Sequence, residues 1–79
     1  MRHKNLSKSF ADVLRKHRTN KKISQEMLAE RADIASKTVS MIERNEINPS
    51  LNLMDSLALG LGVPLHQMIK EAEKNRNKR

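Results

Sequence analysis

Seventy-nine residues bound the chain to one domain, and a domain of this size buries only about 60% of its unfolded surface, so it must pack economically or associate. Cysteine is absent, which excludes disulfides, thiolate metal sites and thiol chemistry; a single aromatic residue, Phe10, among 37% hydrophobic residues leaves Leu, Ile, Met and Ala as the apolar stock and favours an all-α chain. The formal net charge of +7 points to an anionic partner and is uneven: residues 1–31 hold nine Lys/Arg against three acids, residues 32–69 two against four, and residues 70–79 five against two.

The opening Met1-Arg2-His3-Lys4-Asn5 leads into no apolar stretch, so no signal peptide is expected, and residues 1–6 read as a basic, flexible arm. The first helix runs from about Ser7 to Thr19, with Phe10, Val13 and Leu14 on one face, a serine cap at Ser7 or Ser9, and Asn20 as a left-handed stop. Ser24 before Gln25 and Glu26 announces a second, short helix ending near Ala32, its stripe made of Leu28, Ala29 and Ala32. Asp33-Ile34-Ala35 forms a three-residue turn in which Asp33 takes the left-handed conformation. The third helix spans Ser36 to Arg44. Ala35, Val39 and Ile42 face inward, and Ser36, Lys37, Ser40, Met41 and Arg44 share a different, outward face. Pro49 disfavours a helical Asn48 and breaks the chain there.

Ser50 caps a fourth helix to about Leu61, with a stripe of Leu51, Met54, Leu57, Ala58 and Leu61 and with Gly62 just past its end. Pro64 begins a fifth helix to about Asn75, whose apolar side is Leu65, Met68, Ile69 and Ala72. Residues 75–79 read as a basic tail. Leu51 to Ile69 carries a single charged residue, Asp55, but its glycines, Pro64 and His66 make it a poor membrane span, and a cytoplasmic location is expected. One small bundle cannot bury all of this stretch, so the surplus of Leu53, Leu59, Leu65, Met68 and Ile69 is expected to form a two-fold dimer interface.

Two short helices joined by a three-residue turn, residues 24–32 and 36–44, are the helix-turn-helix pattern. In that arrangement the first helix crosses the DNA backbone and the second enters the major groove, which is wide enough for one helix. The domain expected on this basis is 7–74. Lys4, Lys8, Arg15, Lys21, Lys22 and Arg44 are candidates for phosphate contact. His3, His17 and His66 are scattered, and no paired carboxylates, nucleophile–base set or phosphate loop is visible, so no metal, cofactor, small-molecule ligand or enzymatic activity is expected.

The runs Ser24-Gln25-Glu26-Met27-Leu28-Ala29-Glu30-Arg31-Ala32, Ser36-Lys37-Thr38-Val39-Ser40-Met41-Ile42-Glu43-Arg44-Asn45 and Asn48-Pro49-Ser50-Leu51, followed by Leu61-Gly62-Val63, resemble the Cro/C1-type helix-turn-helix family over about residues 9–72. The resemblance implies a compact five-helix bundle of the lambda-repressor-like DNA-binding type, acting as homodimers on near-palindromic double-stranded operators; the size resembles phage repressors and restriction–modification controller proteins. Carried onto this sequence, it implies base reading by Ser36, Lys37, Ser40 and Met41, backbone contacts from Gln25 and Thr38, and a salt bridge from Arg18 to Glu43. Asp33 departs from the family's usual glycine, and Ala35 from its usual Ser or Thr, which either moves the cap to Ser36 or leaves it unmade. The alternative function is an antitoxin-like interaction module whose basic tail or leucine-rich helices neutralise a protein partner while it also binds DNA.

Overall fold

A computed structural model describes residues 6–76, which form five helices: α1 (Leu6–Asn20), α2 (Gln25–Ala32), α3 (Ser36–Glu43), α4 (Leu51–Leu61) and α5 (Leu65–Arg76). Nearly all of the expected arm, and residues 77–79 of the expected tail, lie outside the described residues. α1 packs along α5, and α2 is held between α3 and α4. Phe10, Leu14, Leu28, Val39, Ile42, Leu57 and Met68 are each at most 1% exposed and fill the space where the helices meet.

Local chemistry sets the helix ends. Ser24 and Ser50 are extended and accept from the backbone N–H of Met27 and Leu53, so these two expected N-caps form, whereas Ser7 and Ser9, expected to cap α1, lie inside it because the helix already begins at Leu6. Four helices close in the same way, with a left-handed residue and a pair of crossed backbone bonds. In α2, Asp33 (φ 59°) donates to the Glu30 carbonyl and Ile34 to that of Ala29. In α4, Gly62 (φ 72°) donates to Leu59 and Val63 to Ala58. In α3, Asn45 (φ 59°) donates to Ile42 and Glu46 to Met41. α1 departs from expectation: Asn20 stays helical, and the left-handed position falls on Lys22 (φ 60°), which donates to Thr19 while Ile23 donates to Arg18. This reversal, two residues past Asn20, is followed by Ile23, which enters the core and is 8% exposed.

Gly60 lies where α4 comes closest to α2. A Cβ there would stand 3.1 Å from Leu28 Cδ1 and 3.2 Å from the backbone nitrogen of Ala32. Pro64 precedes α5 rather than opening it, and its carbonyl accepts from Gln67 and Met68. Three apolar expectations are corrected. Ala35, expected to face inward with Val39 and Ile42, is exposed, because it sits at the N-cap ahead of α3 rather than on its buried face. Met68 is 0% exposed against the core, so it is not part of a surface for association. Leu51, expected in the core stripe of α4, is 67% exposed, because α4 turns its Leu57, Ala58, Gly60 and Leu61 side inward.

Candidate nucleic-acid interface

α3 has eight residues and two faces. Val39 and Ile42 are sealed in the core. Ser36 and Lys37 are exposed on its first turn, and Ser40 and Met41 lie half-buried one turn later. The four residues expected to read bases therefore sit on adjacent positions of one accessible side. Thr38 is half-buried beside them. Ala35 occupies the N-cap in extended geometry and supplies no side-chain bond, and Ser36 is the first helical residue, so the cap is unmade.

A buried carboxylate fastens this helix to the rest of the domain. Glu43, the last residue of α3, is 4% exposed. Arg18 of α1 grips it in a fork, Nε to Oε2 at 2.6 Å and Nη2 to Oε1 at 3.0 Å, and its Nη1 donates to the Ile23 carbonyl at 2.9 Å. Gln25 Nε2 donates to Glu43 Oε1 at 3.0 Å, and Arg15 Nη2 to the Glu43 carbonyl at 3.1 Å. Burial pushes the Glu43 carboxyl upward, but the Arg18 and Gln25 hydrogen bonds and the charges of Arg18 and Arg15 outweigh it and hold the group below the usual carboxylate range. One charge thus locks α1, α2 and α3 together, with the expected Arg18–Glu43 bridge at its centre.

The backbone-contact candidates are placed unequally. Gln25 opens α2 with one amide N–H committed to Glu43; a phosphate would have to take the second. Arg15 is likewise drawn to Glu43 but stays half-exposed. Lys21 and Lys22 are exposed in the turn between α1 and α2, and Lys8 on α1. Arg44, just past α3, is paired with Glu46, Nε to Oε2 at 2.8 Å and Nη2 to Oε1 at 3.1 Å, and also donates through Nη1 to Ser40 Oγ.

Glu46 carried no signal in the sequence. It pairs with Arg44 two residues away only because Asn45 between them is left-handed. Nor did Glu71, which accepts from Lys16 Nζ at 3.0 Å and Gln67 Nε2 at 3.2 Å and lies 2.9 Å from His17 Nε2, clasping α1 to α5. Burial raises the Glu71 carboxyl, and the hydrogen bonds from Lys16, Gln67 and His17 reverse that and lower it to about 2.

Leu59 is 74% exposed, roughly opposite the buried side of α4, while Leu53, Leu65 and Ile69 are half-buried at the core's edge. A half-open apolar groove of about 200 Å³ runs between α1, the loop before α4, and the α4 and α5 residues Met54 and Ile69. No helix among the described residues is long and apolar enough to cross a membrane.

A short capped helix, a tight turn and a second helix with one polar, accessible face define a helix-turn-helix protein. Residues 14–68 match the helix-turn-helix family model HTH_3, and the chain belongs to that family, of Cro/C1 type. It is 33% identical over 54 residues to the immunity repressor protein of Bacillus phage phi105 and 33% identical over 61 residues to the HTH-type transcriptional regulator SinR of Bacillus licheniformis. These matches take in 68% and 76% of this chain but only 38% and 55% of those proteins. Among solved structures, the wild-type restriction–modification controller protein C.Esp1396I is similar with a TM-score of 0.86 at 27% identity, covering 94% of this chain and 95% of that one. The controller protein C.AhdI from Aeromonas hydrophila is similar with a TM-score of 0.75 at 32% identity, covering 78% and 94%. The clp gene regulator ClgR of Corynebacterium glutamicum, at 24% identity and a TM-score of 0.88, shares the fold.

Proposed function

We propose that this protein is a cytoplasmic, sequence-specific DNA-binding transcriptional regulator, a homodimer that lays α3 of each protomer into the major groove of a near-palindromic operator and controls its own and adjacent genes by occupancy. The observation that carries this reading is the division of α3: Val39 and Ile42 are sealed, Glu43 is pinned by Arg18, and Ser36, Lys37, Ser40 and Met41 are left on an accessible side. A helix anchored this firmly holds its side chains in register with base edges, which direct readout requires. Lysine donates to guanine O6 or N7, serine to any base, and a methionine side chain packs on a thymine methyl. The exposed lysines at 21 and 22 would supply part of the electrostatic affinity. The repressor and regulator names of the relatives support the same reading.

Dimerisation is proposed through the outer side of α4 and the adjacent edge of α5, with Leu59 at its centre and Leu53, Leu65 and Ile69 around it; Met68 is excluded by its burial. A two-fold pairing would set two copies of α3 about 34 Å apart, one helical turn of DNA. Hydroxyl-radical footprinting on the DNA upstream of the protein's own gene tests this. Two protected patches per strand about one helical turn apart are expected. Protection spread evenly over the duplex would refute sequence-specific recognition. Stoichiometric co-purification of a protein partner, with no such footprint, would instead select the interaction-module alternative.

A further inference from the structure

Arg44, Ser40 and Glu46 form a connected polar row at the C-terminal end of α3 that the anchoring of the helix does not require. The guanidinium has five N–H donors. Glu46 takes two, through Nε and Nη2, and Ser40 Oγ takes one from Nη1. Nη1 and Nη2 therefore keep one N–H each. The backbone makes the pairing possible: Asn45 is left-handed, with Asn45 and Glu46 donating to the Ile42 and Met41 carbonyls, and this reversal sets residues 44 and 46 side by side. Arg44 and Glu46 side chains are 52% and 48% exposed, so the row is open to a partner. Lys37, on the first turn of α3, also acts on the Glu46 carboxylate through its charge, which places that carboxylate within the field of both cations of the outer face.

We propose that Glu46 is a positioning residue for DNA recognition: it clamps Arg44 over Ser40 so that the two remaining N–H groups on Nη1 and Nη2 meet a pair of acceptors on the DNA. This rests on the DNA-binding reading above and deepens it. The acceptor pair is either guanine O6 and N7 or two phosphate oxygens, both of which take bidentate arginine. An unclamped arginine would have to give up rotamer freedom on binding, and a clamped one has already done so. The clamp has an opposite competing effect, because a carboxylate near DNA repels phosphate. A carboxylate that only neutralised Arg44 would weaken binding, and its removal would strengthen it. The two roles therefore predict opposite signs.

The test is a double-mutant cycle on the full chain with Glu46→Gln, Arg44→Ala and the double variant. Each protein selects duplexes from a random-sequence pool, and affinities are then measured by fluorescence anisotropy on the duplex that the unmodified protein enriches. Thermal melts confirm that all four proteins fold. With Arg44 present, Glu46→Gln is expected to weaken binding roughly fivefold relative to its effect in the Arg44→Ala background. If the acceptors belong to guanine, Arg44→Ala and Glu46→Gln both lose preference at the same base of each half-site. If they belong to phosphate, both weaken every duplex alike and the salt slope falls by about 0.9 per protomer for Arg44→Ala. Either pattern supports the clamp. Equal effects of Glu46→Gln in both backgrounds, or tighter binding only when Arg44 is present, would overturn it. If the unmodified protein enriches no sequence, the DNA-recognition reading itself fails and the clamp falls with it.

Discussion

Replacing Glu43 by glutamine keeps the size of the side chain and removes the charge on which three helices converge. Glu43 is 4% exposed and receives Arg18 at 2.6 and 3.0 Å and Gln25 at 3.0 Å. In Glu43→Gln one oxygen that accepts from Arg18 or Gln25 becomes a donor, which only a flipped Gln25 amide could meet, and Arg18 loses its counter-ion. Breaking a buried pair by removing one partner costs about 3–5 kcal/mol. Arg18 retains 15% side-chain exposure and its bond to the Ile23 carbonyl, so part of its solvation is recoverable and about 2–3 kcal/mol is expected. For a domain of this size that lowers the melting temperature by roughly 10–20 °C. Circular dichroism at 222 nm, with heat and with urea, measures it. A loss below about 0.5 kcal/mol would refute the argument that this carboxylate fastens α3 to α1 and α2, because a surface-type ion pair would be worth no more than that.

The remaining predictions follow from the same structure. Glu43 and Glu71 both have folded pKa values below their unfolded value of 4.5, so the stability each contributes is present above that pH and lost as pH falls through the folded value; for Glu71 the loss spans pH 4.5 to about 2. A urea titration across that range should show stability falling steadily, with Glu71→Gln flattening the lower part of the slope; an unchanged slope would contradict the clasp between α1 and α5. Gly60→Ala gains about 1 kcal/mol of helix propensity but forces a methyl to 3.2 Å from the Ala32 backbone, and a net loss of about 1 kcal/mol is expected by thermal melt; a gain would mean that α2 and α4 separate freely. Lys22→Gly relieves a left-handed lysine and should raise the melting temperature by a few degrees, corresponding to up to about 1 kcal/mol. If the proposed dimer forms, Leu59→Glu should leave the fold intact and shift the unmodified protein's dimer to monomer in sedimentation equilibrium; a variant that stays dimeric would place the interface elsewhere, and an unmodified protein that is monomeric would refute the proposed pairing.

The sequence carries the local signals well because caps and turns depend on neighbours in the chain. Ser24, Ser50, Asp33 and Gly62 behave as their chemistry dictates, and the period of Val39 and Ile42 separates the two faces of α3. Signals that depend on partners far away in the chain are weaker. Asn20 readily takes the left-handed conformation, yet it stays helical as the last residue of α1 and the left-handed position falls two residues later on Lys22, next to Ile23, which enters the core. Periodicity identifies Leu51, Leu57, Ala58 and Leu61 as one stripe without saying where the covering helices stop, so Leu51 is left at the exposed edge. Met68, counted from the sequence among the apolar surplus of a dimer interface, is buried instead, because α5 packs that side against α1 and periodicity does not say which apolar positions of a stripe are covered. The Lys16 and His17 contacts of the Glu71 clasp join residues more than fifty positions apart, leaving only Gln67–Glu71 at a helical spacing, and the Arg44–Glu46 pair depends on a left-handed residue between its members.

Whether the accessible side of α3 reads DNA is the central question of how this protein acts. The direct test is fluorescence anisotropy of the full chain on the DNA upstream of its own gene and on a shuffled duplex, across a salt series, beside a Lys37→Ala, Ser40→Ala variant. Both substitutions fall on accessible positions of α3, so its fold is expected to persist. The predicted result is tight binding to the upstream duplex that the variant loses, with salt-sensitive binding to the shuffled duplex largely kept. Equal binding of both proteins to both duplexes would contradict it, leaving a basic surface that holds phosphate and reads no sequence.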